Sequence, residues 1–241
     1  MNCTEPSTLR VAILDLYEGA ENQGMRCIRE ILNQFADSHH LNLEKAEFDV
    51  RLKHEVPGLD FDIYISSGGP GSPLESEGSN WEKKYFGWLN AVEEFNYNEA
   101  NVVKKKVFFI CHSFQLVCRH YHIGQVTKRK STAFGVFPIH YLPGAEDEQV
   151  FAGLKDPFYA VDSRDYQVIQ PNHNKIKQMG ATILAIEKAR PHVPYERAMM
   201  ALRFNENMIG TQFPDKIMYT YAHILPNFLN EAVCKFQPLE L

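Results

Sequence analysis

The stretch Val107-Phe108-Phe109-Ile110-Cys111-His112-Ser113-Phe114-Gln115-Leu116 decides how the rest of the chain is read. Its four leading apolar residues, two of them β-branched, follow the basic run Lys104-Lys105-Lys106. That pattern predicts a short strand buried on both faces of a sheet. Helix-compatible residues resume at Ser113, so Cys111 and His112 fall on a sharp strand-to-helix turn. A thiol there stands off the sheet near a helix N-terminus, whose positive end favours thiolate over a free-cysteine pKa of about 8.5. Neighbouring backbone N–H groups can hold the oxyanion that forms when the sulfur attacks a carbonyl. The plainer alternative is a cysteine that merely ends a core strand.

Working outward, Arg10 to Leu16 reads as a first buried parallel strand, and Gln23 to Phe35 carries Met25, Ile28, Leu32 and Phe35 at helical spacing. Glu47 to Lys53 alternates and predicts a strand. Phe61 to Ile65 predicts another, running into Ser66-Ser67-Gly68-Gly69-Pro70-Gly71-Ser72-Pro73. Such an opening belongs to an open α/β sheet. Trp81 to Phe95 has an aromatic stripe suited to a helix packed on that sheet. Beyond Cys111 a helix runs to about Tyr121. Gly124 to Leu142 then alternates around Lys128-Arg129-Lys130, a cluster read as a solvated turn that could also contact an anionic ligand. Pro143 to Gln149 reads as an acidic loop. Ala160 to Gln170, Ala181 to Glu187, Ala198 to Phe204 and Met208 to Phe213 read as further strands. Ile217 to Phe236 is helical in pattern, with Pro226 expected to break or kink it.

Length and composition bound the function. The 241 residues suffice for one sizeable core, and residues 1–241 are expected to form one domain. A formal net charge of -5 gives no strong attraction to nucleic acid or to an anionic membrane. No apolar run approaches the roughly 20 residues of a membrane span, and no signal peptide is read at the N-terminus. Five scattered cysteines without a C-x-x-C pair suggest neither a zinc site nor a disulfide framework, and a reduced, cytoplasmic setting is expected. No histidine pair argues for a metal.

Three stretches together resemble the class I glutamine amidotransferases over nearly the whole chain: the Cys111 turn, the loop Ser67-Gly68-Gly69-Pro70-Gly71-Ser72, and Ile209-Gly210-Thr211-Gln212-Phe213. The pattern is similar to that of the glutaminase part of GMP synthase. The resemblance implies a three-layer α/β/α, flavodoxin-like fold with an open, mostly parallel sheet and a small antiparallel excursion. It implies cysteine attack on the glutamine side-chain amide, release of ammonia and hydrolysis of a γ-glutamyl thioester, with no cofactor. Carried onto this chain, Cys111 is the nucleophile. The N–H groups of Gly69 and His112 form the oxyanion hole, while Gly68, Pro70 and Gln115 bind substrate. Asp165 and Tyr166 fall near the segment that helps bind the α-amino group. Glutamine is the implied ligand, and a separate synthetase chain the implied partner.

The departures are specific. Phe109 and Ser113 stand where the family pattern Gly-x-Cys-x-Gly-x-Gln has glycines. More seriously, the family follows Gln-Phe with His-Pro-Glu, its general base and the acid that orients it. This chain reads Gln212-Phe213-Pro214-Asp215-Lys216, which places Asp215 opposite the glutamate and leaves no histidine. One residue has gone, or three have changed, or a segment is missing between Phe213 and Pro214. Two alternatives stay open: a glutamine-binding or regulatory homologue that has lost its base, and a PfpI-like cysteine hydrolase pairing Cys111 with His112.

Overall fold

A computed structural model describes residues 8–188, 196–215 and 223–234. In chain order these form β1 (Thr8–Asp15), α1 (Gln23–Ser38), β2 (Asn42–Asp49), β3 (Ile63–Ser66), α2 (Asn80–Tyr97), β4 (Lys106–Ile110) and α3 (His112–His120). There follow β5 (Gln125–Tyr141), a 3-10 turn (Gln149–Phe151), β6 (Phe158–Ile169), α4 (His173–Met179), β7 (Thr182–Glu187), β8 (Met199–Asn205), β9 (Met208–Thr211) and α5 (Ile224–Cys234).

The nine strands make one sheet in the order β2-β1-β3-β4-β9-β8-β7-β5-β6. Pairings from β2 to β9 are parallel, and every pairing from β9 to β6 is antiparallel. The expected α/β class holds, but "mostly parallel" does not: the sheet is mixed in equal measure. The "small excursion" is a hairpin whose arms run 17 and 12 residues, and it carries one whole edge of the sheet. Mistaking it for an excursion has a simple cause. The interruption at Lys128-Arg129-Lys130 hides one long strand with a bulge, and alternation alone cannot tell that from two short ones.

Period-two alternation divides the strands between two cores. Val11, Ile13, Ile65, Phe108 and Ile110 pack under α1 and α5. Ala12, Leu14, Tyr64, Val107 and Phe109 pack under α2, α3 and α4. Three layers result, as expected. β2 begins and ends earlier than the alternation in Glu47 to Lys53 predicts, because its register is set by β1, with Thr8 opposite Asn42 and Asp15 opposite Asp49. Past Asp49 the chain turns, the Leu52 N–H donating to the Asp49 carboxylate at 3.0 Å. The sequence reading missed α4, whose ends are nonetheless signalled: Asn172 accepts from the Lys175 N–H, and Gly180 closes the helix at φ 67°.

Pro226 neither breaks nor kinks α5. It is the third residue of that helix, where the missing N–H would have had no helical partner. Residues 217–222 and 235–236, also assigned to the final helix from sequence, lie outside the described residues. Among the described residues no helix is long and apolar enough to cross a membrane.

Candidate active site at the Cys111 turn

β4 ends at Ile110 and α3 starts at His112, so the whole change of direction falls on Cys111. Its φ of 50° and ψ of -98° put it in a conformation that a residue with a side chain enters only where its surroundings force it. Here they do. The Cys111 N–H donates to the Thr211 carbonyl at 2.7 Å, and the Cys111 carbonyl accepts from the Gln115 N–H at 3.0 Å. Ser113 is the third clamp. Its hydroxyl accepts from the Ile110 N–H and donates to the Ser66 carbonyl, both at 2.8 Å, which ties the turn to the end of β3. Serine in place of the expected glycine therefore adds a brace without adding bulk.

Phe109, the other departure, is fully buried against Phe204 with ring centroids 5.7 Å apart. Gly210 on β9 makes room for it: a Cβ there would stand 2.7 Å from the Phe114 ring and 3.2 Å from the Phe109 Cβ. The bulk gained where the pattern has a glycine is absorbed by a glycine elsewhere, at Gly210.

The glycine loop leaves β3 beside the thiol. A Cβ on Gly68 would lie 3.5 Å from the Cys111 Cβ and 3.1 Å from the Tyr17 hydroxyl. A Cβ on Gly69 would lie 2.3 Å from the Leu16 carbonyl oxygen, closer than atoms can approach. Arg51 holds the loop from outside, donating to the Pro70 carbonyl at 2.7 Å and to the Leu16 carbonyl at 3.3 Å. Arg119 donates to the Pro73 carbonyl and pairs with buried Glu82 at 2.6 Å. Gly69→Ala is therefore expected to displace the loop from Cys111. Any turnover at Cys111 that uses the Gly69 N–H should then fall about 100-fold or more. A circular-dichroism melt would check that the fold survives.

The electrostatics oppose the activation expected from sequence. Burial pushes the Cys111 thiol up to about 12, with Asp162 adding to the rise. Arg164, the Gln212 amide and the His112 N–H act the other way without overcoming it. Desolvation thus works against the thiolate that the helix end favours. His112 is buried and its imidazole is pushed down to about 3 by burial and by Arg51 and Arg119. It is neutral, faces those arginines, and makes no hydrogen bond to Cys111; its Nε2 has no partner. Among the described residues no imidazole is hydrogen-bonded to the sulfur; the His112 contact is made by its backbone N–H.

Gln115 is buried and donates to the Tyr166 carbonyl at 3.2 Å, which joins α3 to β6. Asp165 lies apart from the sulfur, exposed and accepting from the Thr132 hydroxyl at 2.5 Å. The charged residues that do bear on Cys111 are Asp162 and Arg164, buried on the inner face of β6. Arg164 Nε donates to both Asp162 oxygens at 3.0 and 2.9 Å. The sequence reading missed this pair. Its signal was there: opposite charges two residues apart on the apolar face of a strand.

Asp215 is buried and accepts from the Leu225 N–H at the start of α5, leaving Oδ1 unpartnered. Burial raises its pKa to about 7, against the lowering effect of the Leu225 and Ile224 N–H groups. Its carboxylate thus fixes a helix start, and among the described residues no imidazole is hydrogen-bonded to it. The pH consequence has a definite sign. Below about pH 4 folded and unfolded chains both hold the proton, and between about 4 and 7 only the folded chain does. Stability is therefore lost as pH rises through that window, by at most about 4 kcal/mol. Asp215→Asn, which keeps an acceptor for α5, should flatten this slope, read as Tm from pH 4.5 to 8; parallel Tm curves would refute it.

Among the described residues no group of three or more histidine, cysteine, aspartate or glutamate side chains is placed to hold a metal ion. No family model and no curated protein matches the sequence. Solved structures do match. The glutaminase domain of Trypanosoma brucei CTPS, solved with bound acivicin, aligns at TM-score 0.63 and 13% identity over 93% of this chain and 94% of that one. A glutamine amidotransferase from Thermotoga maritima aligns at TM-score 0.58 and 14% identity, covering 92% of this chain and 81% of that chain. A ThuA-like protein from Bacteroides uniformis aligns at 0.58 and 9% identity, over 98% and 94%. At such identities likeness establishes architecture, and the chain carries the class I glutamine amidotransferase fold.

Proposed function

We propose that this chain cleaves the side-chain amide of glutamine through a thioester on Cys111 and delivers the ammonia to an acceptor activated by a separate chain. The observation that carries the reading is the strained Cys111 turn set beside Gly68, with the His112 N–H at the sulfur. A tetrahedral oxyanion formed there would be met by the N–H groups of His112 and Gly69, in a loop where side chains are barred. Gln115 and the Tyr166 main chain would line the substrate's flank, with Pro70 closing the loop side. The thiol rests neutral, so bound substrate or a partner must supply the change that ionises it, and the isolated chain turns over slowly. GMP synthase-like pairing is the first partnership to test.

The test is ammonia release from glutamine together with covalent trapping by acivicin, which a structural relative binds. An adduct on Cys111 with slow release supports the reading; neither adduct nor release overturns it. The missing imidazole favours a second reading, an amide-binding homologue without turnover. Saturable glutamine binding with no adduct would select it. The PfpI-like pairing is disfavoured, since a buried imidazole held near 3 is a poor base.

A further inference from the structure

Opposite the bulge in β5, four residues, Arg129 to Thr132, stand against the single Asp165 of β6. The Thr132 hydroxyl closes this bulge onto the Asp165 carboxylate at 2.5 Å. Lys128 and Lys130 point to solvent, but Arg129 turns inward. It donates to Glu187 at 2.6 Å and to Gln167 at 3.0 Å. Arg197 donates to the other Glu187 oxygen at 2.8 Å, and Arg164 bonds Glu187 as well. One carboxylate thus gathers three guanidinium groups.

Between these elements lies a cavity of about 340 Å³. Its polar lining includes Arg129, Arg197 and the hydroxyl-bearing Ser131 and Thr132, and its apolar wall includes Phe137 and Met200. Cations outnumber anions there. Among the described residues that line it, Arg129, Arg197 and Lys188 face Asp162 and Glu187, and Asp162 is already claimed by Arg164. The Arg129 and Arg197 side chains are only 18% and 19% exposed, and the Nε atom of each is buried without an acceptor. Excess buried positive charge with unused donors is costly unless an anion completes it. Guanidinium forks pair bidentately with planar carboxylates as with phosphates, and the apolar wall opposite them suits an organic anion more than a bare inorganic ion.

We propose that this cavity is a binding site for a small organic carboxylate, held by Arg129 and Arg197 with its apolar part against Phe137 and Met200. The cavity shares Asp162 with the surroundings of Cys111, but its existence does not depend on amide cleavage.

Met200 supplies a local reporter. In full-length Cys111→Ala protein with 13C-labelled methionine methyls, the Met200 signal is assigned as the one absent from Met200→Leu. Benzoate should shift that signal saturably, while benzyl alcohol, of the same size but uncharged, should not. Arg197→Gln should weaken the benzoate effect about tenfold or more, and Arg129→Gln serves the same purpose where the first variant fails to fold. Rising chloride should weaken it in the unaltered arginine background. An equal shift with benzyl alcohol, an equal shift with inorganic phosphate, or no saturable shift with benzoate overturns the proposal. Loss of ammonia release elsewhere does not bear on it, because Cys111 is already absent.

Discussion

Cys111→Ala abolishes acivicin labelling and reduces ammonia release to the uncatalysed background, a drop of several orders of magnitude, if the sulfur is the nucleophile. The variant is a clean one for a structural reason. The strain at φ 50° is imposed by the Thr211 carbonyl, the Ser113 hydroxyl and the start of α3, none of which involves the sulfur. Alanine occupies the same backbone conformation at the same cost, so the turn persists. Removing a single sulfur atom leaves a small void, which costs on the order of 1 kcal/mol. A glutamine-binding measurement by calorimetry on the same variant separates the two leading readings. Retained binding with lost release means that the pocket is intact and only the attacking atom has gone. Release undiminished by the substitution would mean that catalysis, where present, happens elsewhere, and the Cys111 account fails.

The parts of the molecule legible in the sequence are those that local chemistry dictates. A doubly buried run such as Val107 to Ile110 has to be a central strand, and a cysteine between such a run and a helix has to sit on a turn. The glycine loop was legible for the same reason: Gly69 has no room for a Cβ against Leu16, and only the backbone explains that choice. What could not be read depends on partners far along the chain. The register of β2 is set by β1, and the neutrality of the thiol by burial and by Asp162, 51 residues away. The strand-to-helix pattern predicted the turn at Cys111, whereas the ionisation expected from the helix end is opposed by desolvation of the buried thiol. His112 shows the same limit. Adjacent residues on a tight turn point in different directions, so proximity in sequence made a Cys-His pair conceivable that the fold does not make. Asp215 is read in sequence as half of a catalytic couple, while in space its oxygen caps α5.

The neutral thiol yields the second large effect. With burial pushing it up to about 12, the Cys111 thiol is neutral at pH 7. Alkylation by iodoacetamide follows the thiolate, so its rate at Cys111 should rise about tenfold per pH unit from 7 to 10, close to a thousandfold in all. An ordinary exposed cysteine behaves differently and levels off just above its pKa of about 8.5. Peptide mass spectrometry assigns the label to Cys111; Cys27 and Cys118, both buried, serve as internal references for opening of the fold. A plateau below about pH 8 would show that a cation reaches the sulfur in solution, and the account of a resting thiol would fall. With glutamine present the profile gains a further use. Ammonia release that climbs with the same slope means that the chain alone provides no base and waits on hydroxide or on a partner. Release that is flat with pH while alkylation of the free protein still climbs means that the bound amide itself reorganises the site. The missing histidine after Phe213 is then compensated within the complex and not before it, and the partner chain's role narrows to receiving ammonia.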